Sequence, residues 1–189
     1  DLTLQHVGVN PTRIGIINLL RDMGANIESS NERLVGGEPV ADLRIRYRQL
    51  KGIVISEAQI PLAIDEFPVL FVAAACAEGD TLLRGAKELR VKESDRLDAM
   101  AQGLNVLGVA VETFDDGIKI TGGQMGGGAI NSFGDHRIAM AFTVAGLRSE
   151  SSIDIANCAN VATSFPNFVE LASEVGMRVS AQKSLKATS

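Results

Sequence analysis

With 189 residues, 46% hydrophobic content and 22% charged residues, the chain can bury a full core as one domain or a tight pair of subdomains. Its net charge of −5 argues against a nucleic-acid surface as the main function, and two cysteines give neither a disulfide framework nor metal-ligand spacing. No secretory leader pattern opens the chain, and its longest apolar stretch, Pro68–Ala77, is too short to span a bilayer. The expectation is a protein of the reducing cytoplasm with buried structural thiols, no membrane partner, no metal and no cofactor.

The chain opens on a strand-like run, Leu2–Gly8, with no Met before it, and is read as a piece of a longer protein. Asn10-Pro11 is a good N-cap and first-turn pair for a helix ending at Met23-Gly24, with a strand at Asn26–Ser29. Leu43–Arg48 alternates apolar and basic residues, as a half-buried strand with a cationic outer face would. Phe67–Ala77 reads as a small-residue helix leading to a strand at Thr81–Ala86. A dense charged block, Arg90-Val-Lys-Glu-Ser-Asp-Arg96, follows. It enters an amphipathic helix in which Leu97, Met100, Ala101, Leu104 and Leu107 share a face and Gly108 ends the run.

Beyond it, Val109–Phe114 and Gly117–Thr121 form a strand pair turned by Asp115-Asp116. The glycines of Gly122–Gly128 follow a strand but lead into no helix, so the dinucleotide-loop pattern fails and a flexible connector is expected. Gly134-Asp-His-Arg137 opens a second small-residue helix, Arg137–Leu147, with a strand at Ser152–Ala156. A third helix runs from Ser164-Phe-Pro166 to Val175-Gly176, then a strand at Arg178–Ala181. The order helix, strand, helix, strand, strand recurs, which predicts an α/β fold with internal repetition over 1–182 and a frayed polar tail at 183–189.

Two stretches carry the chemistry. In Arg90–Arg96, cations and an acid crowd a helix mouth, where backbone N–H groups and the macrodipole favour anions. Such a set can hold an anionic substrate and move a proton on it; the plainer reading is a charged helix entry with Ser94 as N-cap. In the second, Arg137 leads into an almost wholly apolar helix and needs an anionic partner. His136 is one of only two histidines, and a lone histidine is more often structural than catalytic.

Arg90-Val-Lys-Glu-Ser-Asp-Arg96 and Asp135-His-Arg-Ile-Ala-Met140 together resemble the 5-enolpyruvylshikimate-3-phosphate synthases. Asn10-Pro-Thr-Arg13, Ile64-Asp-Glu-Phe-Pro68 and Thr163-Ser-Phe-Pro166 agree, in order, along nearly the whole chain. The resemblance implies transfer of the enolpyruvyl group of phosphoenolpyruvate to the 5-hydroxyl of shikimate 3-phosphate, in aromatic amino acid biosynthesis. It implies two similar domains of βαβαββ units, an inside-out α/β barrel arrangement, here with the first unit truncated and the N-terminal-half partner domain absent. The isolated piece is then expected to be inactive. By motif match, Asp65 takes the proton of the attacking hydroxyl and Glu93 protonates the methylene carbon. Lys92 contacts shikimate 3-phosphate, Arg96 and Arg137 bind phosphoenolpyruvate, and His136 joins them as a substrate-binding residue. Asp65 could instead cap the Phe67 helix, and Asp95 and Asp135 would hold neighbouring cations or caps. Thr163 and Glu88 stand where one class of the family has lysine and asparagine, so the chain looks more like the second class, some of whose members tolerate glyphosate. Two alternatives are a transferase acting on a UDP-amino sugar, which should show a cysteine acid, and a non-catalytic binding or assembly module of the same fold.

Overall fold

The computed structural model describes residues 1–182; the expected polar tail, 183–189, lies outside them. The first group of elements is β1 (Leu2–Gly8), α1 (Gly15–Asp22), β2 (Asn26–Val35) and β3 (Glu38–Arg46). The second is α2 (Ile60–Ala63), α3 (Phe67–Ala75), β4 (Asp80–Leu83), α4 (Arg96–Val106), β5 (Ala110–Phe114) and β6 (Gly117–Thr121). The third is β7 (Gly128–Asn131), α5 (His136–Ala145), β8 (Ile153–Ala156), α6 (Val161–Ser164) and α7 (Phe168–Glu174).

The repetition is visible in the sheets. Two antiparallel sheets have the same order, β1-β3-β2 and β4-β6-β5. Parallel bridges from Lys51 to Glu78 and from Val54 to Leu82 lay an extended segment beside β4, just as β7 lies parallel beside β8. Each parallel pair is crossed by an apolar helix, α3 in one case and α5 in the other. Phe67, Leu70, Phe71, Ala74 and Ala75 of α3 are buried with Ile138, Ala141, Phe142 and Ala145 of α5 in one core. The alanines let these two helices approach closely. On α4, a Cβ added to Gly103 would sit 2.1 Å from the Phe142 ring, so that helix too is pressed onto α5. Among the described residues no single helix is long and apolar enough to cross a membrane.

Several boundaries differ from the sequence reading for local reasons. Helix α1 starts at Gly15, because Asn10 closes a turn of its own: its side-chain oxygen accepts from Thr12 N at 3.0 Å and its carbonyl from Arg13 N at 2.8 Å. Strand β4 ends at Leu83; Gly85 has φ +78 and donates its N–H to the Asp116 carboxylate. Helix α7 begins at Phe168, after the short α6. The chain over 178–181 forms no strand: among the described residues β8 is paired with β7 alone, whereas its counterpart β4 also has β6. The Gly122–Gly128 stretch is not slack. Gly122, Gly123 and Gly126 donate to the carbonyls of Gly79, Ala75 and Leu107, and the stretch runs into β7, which periodicity did not reveal. Arg44 and Arg46, on the cationic face of β3, are paired with Asp1 and Glu28. Of the two thiols, Cys76 is half-buried and Cys158 is exposed, so only the first approaches the expected burial.

Candidate active site

Three loops that each enter a helix meet at one point. They are the turn between α2 and α3, the stretch before α4, and the loop before α5. Gly15 helps set the first of these. A Cβ there would lie 2.4 Å from the Leu62 carbonyl group, so the start of α1 rests directly on α2, just ahead of Asp65.

Arg96 is the centre of the cluster, with its side chain 1% exposed. Its Nε donates to Asp135 Oδ2 at 2.9 Å, its Nη1 to Asp65 Oδ1 at 3.3 Å and its Nη2 to Glu93 Oε2 at 2.5 Å. A guanidinium in the core requires such partners. Asp135 is itself sealed from solvent and serves both neighbouring helices. Oδ1 accepts from Arg137 N at 2.9 Å and so caps α5, while Oδ2 also accepts from Ser94 Oγ at 3.0 Å. Burial alone would raise the Asp135 pKa, but the Arg96 hydrogen bond and charge, with the Arg137 N–H and the Ser94 hydroxyl, hold it below the usual carboxylate range.

The cap of α4 is Asp95, not Ser94: Asp95 accepts from Asp98 N at 3.1 Å, while the Ser94 hydroxyl is spent on Asp135. Asp65 is not a cap either. Glu66 occupies the N-cap position of α3 without a side-chain bond, and the Asp65 carboxylate faces the two arginines. Arg137 reaches Asp65 twice, through Nη1 to its carbonyl at 3.0 Å and Nη2 to its carboxylate at 3.2 Å.

The structure thus brings together Asp65, Glu93, Arg96 and Arg137. The carboxylates of Asp65 and Glu93 stay 45% and 53% exposed although both touch a buried cation. Lys92 stands outside the network and pairs with Glu88, one helical turn back. His136 is half-buried in the first turn of α5 and makes no side-chain hydrogen bond among the described residues. Asn160 was not singled out by the sequence: its side-chain amide donates to Gly134 O at 2.5 Å and steadies the turn before Asp135. Among the described residues no group of three or more His, Cys, Asp or Glu side chains could hold a metal ion.

Chemically, the cluster sets two accessible carboxylates against a fixed positive centre. Among the described residues Oε1 of Glu93 accepts no hydrogen bond, so that oxygen is open to a proton donor or acceptor outside the fold. Arg137, 31% exposed, is the guanidinium best placed to meet an incoming anion.

The chain matches the family EPSP synthase (3-phosphoshikimate 1-carboxyvinyltransferase) over residues 1–171. It is 64% identical over 178 residues to a 3-phosphoshikimate 1-carboxyvinyltransferase of Alkalilimnicola ehrlichii, covering 94% of this chain and 40% of that protein. A protein of the same name from Methylococcus capsulatus is 63% identical over 179 residues, covering 95% and 41%. An EPSP synthase structure from Acinetobacter baumannii superposes with a TM-score of 0.93 at 52% identity, over 96% of this chain and 43% of that one. The chain therefore spans about two fifths of the length of these relatives.

Proposed function

Since this chain belongs to the EPSP synthase family, we propose that it supplies one wall of an active site that moves the enolpyruvyl group of phosphoenolpyruvate onto the 5-hydroxyl of shikimate 3-phosphate. The observation that carries this reading is Arg96, which ties Asp65 and Glu93 together from separate loops while leaving both carboxylates open to solvent.

In the proposed cycle the 5-hydroxyl oxygen bonds to C2 of phosphoenolpyruvate as Asp65 takes the hydroxyl proton. Glu93 gives a proton to C3, turning the methylene into a methyl. Glu93 then removes a proton from that methyl as the C2–O bond to phosphate breaks, and the proton held by Asp65 passes to the departing phosphate oxygen. This restores the double bond, regenerates both carboxyl groups and releases hydrogen phosphate. Both substrates are polyanions, so cations must offset their mutual repulsion and hold them in reacting geometry. Arg137 and Arg96 would bind phosphoenolpyruvate with His136 beside them, and Lys92 would turn from Glu88 to shikimate 3-phosphate. The remainder of the site would come from a partner domain, with residues 1–182 forming one side of the cleft.

The test is a chimaera in which this chain replaces the matching 178 residues of the Alkalilimnicola ehrlichii relative. With both substrates it should release phosphate at an ordinary enzymatic rate, about 1–10³ per second. The 189-residue chain by itself should fold and release none. A folded but silent chimaera would favour the non-catalytic module, and turnover by the chain alone would remove the need for a partner domain.

A further inference from the structure

Arg90 lies in a short 3₁₀ turn, Lys87–Val91, and its side-chain hydrogen bonds among the described residues go to Asp95, Asp98, Phe114 and Asp115, none of them to Asp65, Glu93, Arg96 or Arg137. Each of its three guanidinium nitrogens nonetheless donates a hydrogen bond, at 21% side-chain exposure. Nε donates to Asp115 O at 2.8 Å and Nη2 to Phe114 O at 2.6 Å, both at the tip of the β5–β6 hairpin. Nη1 donates to Asp95 Oδ2 at 2.7 Å and to Asp98 Oδ1 at 3.0 Å. The two oxygens of Asp95 are therefore divided: Oδ1 caps α4 and Oδ2 is held by Arg90.

Between that turn and α4 runs Lys92-Glu93-Ser94. Among the described residues, the backbone N–H groups of these three make no hydrogen bond to another backbone group. Neither a ladder nor a helix fixes the place of Glu93. Beside the direct Arg96 bond to Glu93 and the Lys92–Glu88 pair, two side-chain clamps hold the stretch, Arg90 on Asp95 and the hairpin, and Asp135 on Ser94 and Arg96. The second clamp lies inside the charged cluster. The first stands outside it and joins the loop to a rigid hairpin.

From this geometry we infer that Arg90 is a positioning residue for Glu93: by tying the Asp95 cap to the β5–β6 turn it sets where the Glu93 carboxylate stands beside Arg96. The inference rests on the reading of Glu93 as the proton donor. A planar fork is needed, because two carbonyls and two carboxylates are met by one side chain at fixed angles. Misplacing a catalytic group by about 1 Å can cost on the order of 10²-fold in rate.

The experiment is a double-mutant cycle in the full-length chimaera, with turnover and both Michaelis constants measured for Arg90→Gln, Glu93→Gln and the pair. Arg90→Gln should lower kcat about ten- to a hundredfold, with both Michaelis constants changed less than about threefold. The pair should be no slower than Glu93→Gln alone, within about twofold, because a misplaced group that is already disabled costs nothing more. Arg90→Lys keeps the charge beside Asp95 and Asp98 and loses the two carbonyl bonds. It should recover part of the rate and serves if Arg90→Gln fails to fold. A normal kcat for both Arg90 variants, or rate losses that multiply in the pair, would overturn the inference while leaving Glu93 in place. A normal rate for Glu93→Gln would instead remove the proton donor itself, and this inference with it.

Discussion

Arg96 and Asp135 form a salt bridge of 2.9 Å between two side chains that are both sealed from solvent, one at the start of α4 and the other at the cap of α5. The pair ties together the two charged stretches that stand 39 residues apart in sequence. It also explains why Arg96 can sit in the core at all: Asp135 neutralises it from within, while Glu93 and Asp65 do so from the solvent side. The carboxylates on the open side can then exchange their partner for a ligand without leaving a bare buried charge.

Removing the inner partner should therefore be a stability lesion before it is a catalytic one. Asp135→Asn leaves Arg96 with two exposed carboxylates and weakens the α5 cap. Breaking a buried pair costs about 3–5 kcal/mol. The lower end, about 3 kcal/mol, is expected here because Arg96 keeps two partners. Chemical denaturation of the variant beside the parent chain measures it, and a loss below about 1 kcal/mol would show that Arg96 does not depend on Asp135.

The same bond gives a pH dependence with a definite sign. The carboxyl of Asp135 is held below its ordinary value in the folded chain, so folding is favoured by its ionised form. That contribution is complete above the unfolded value, about 4, and is lost as pH falls through the lower folded value. The parent chain should lose stability as pH drops below about 4, and Asp135→Asn should show a shallower loss over the same range. Melting temperatures of the two proteins between pH 6 and pH 3 test this, and parallel curves would assign the acid sensitivity to other groups.

Gly15 links the fold to the site. No side chain fits there, since a Cβ would lie 2.4 Å from the Leu62 carbonyl carbon and oxygen and 2.7 Å from Ala63 N, all backbone. Gly15→Ala must push α1 away from α2, at about 1–3 kcal/mol of stability. Because Asp65 follows two residues after Ala63, turnover of the chimaera should fall as well. An unchanged melting temperature would mean that the contact relaxes without cost.

The main features of this site were legible because charge is conspicuous against an apolar background. Two charged stretches at helix starts, flanked by apolar runs, drew attention to Glu93, Arg96 and Arg137; Asp65 came only from the family resemblance, through Ile64-Asp-Glu-Phe-Pro68, and the structure brings these four side chains together. Helix ends were equally plain at Gly24, Gly108 and Gly176, whose φ values of +94, +84 and +92 favour glycine. Helix starts were harder. Asn10 and Ser94 are both good caps by type, yet one closes an isolated turn and the other bonds a residue 41 positions away. Strand β7 was hidden by the glycine run that leads into it, and it is formed by pairing with β8 beside it. The status of Lys92 was invisible too, because a pair with Glu88 one turn away looks no different in sequence from a free ligand cation.

The two arginines should behave differently, and the reason is burial. Read from sequence, Arg96→Lys and Arg137→Lys are equivalent: each keeps its charge, loses the planar fork, and should weaken phosphoenolpyruvate binding with little change in melting. The structure separates them. Arg96 is 1% exposed and uses Nε, Nη1 and Nη2 on three carboxylates, which a lysine cannot replicate. Arg96→Lys should lower the melting temperature and weaken both substrates together. Among the described residues the Arg137 side chain, 31% exposed, bonds only to Asp65, so its replacement should leave the fold intact. Charge-assisted hydrogen bonds are worth roughly 1.5–3 kcal/mol each. Arg137→Lys should then raise the Michaelis constant for phosphoenolpyruvate about tenfold or more, with that for shikimate 3-phosphate and the melting temperature nearly unchanged. Both constants and thermal melts, measured on the two chimaera variants, decide the matter. A fall in melting temperature for Arg137→Lys with an unaltered phosphoenolpyruvate constant would make Arg137 a structural tie to Asp65 and leave anion binding to other groups.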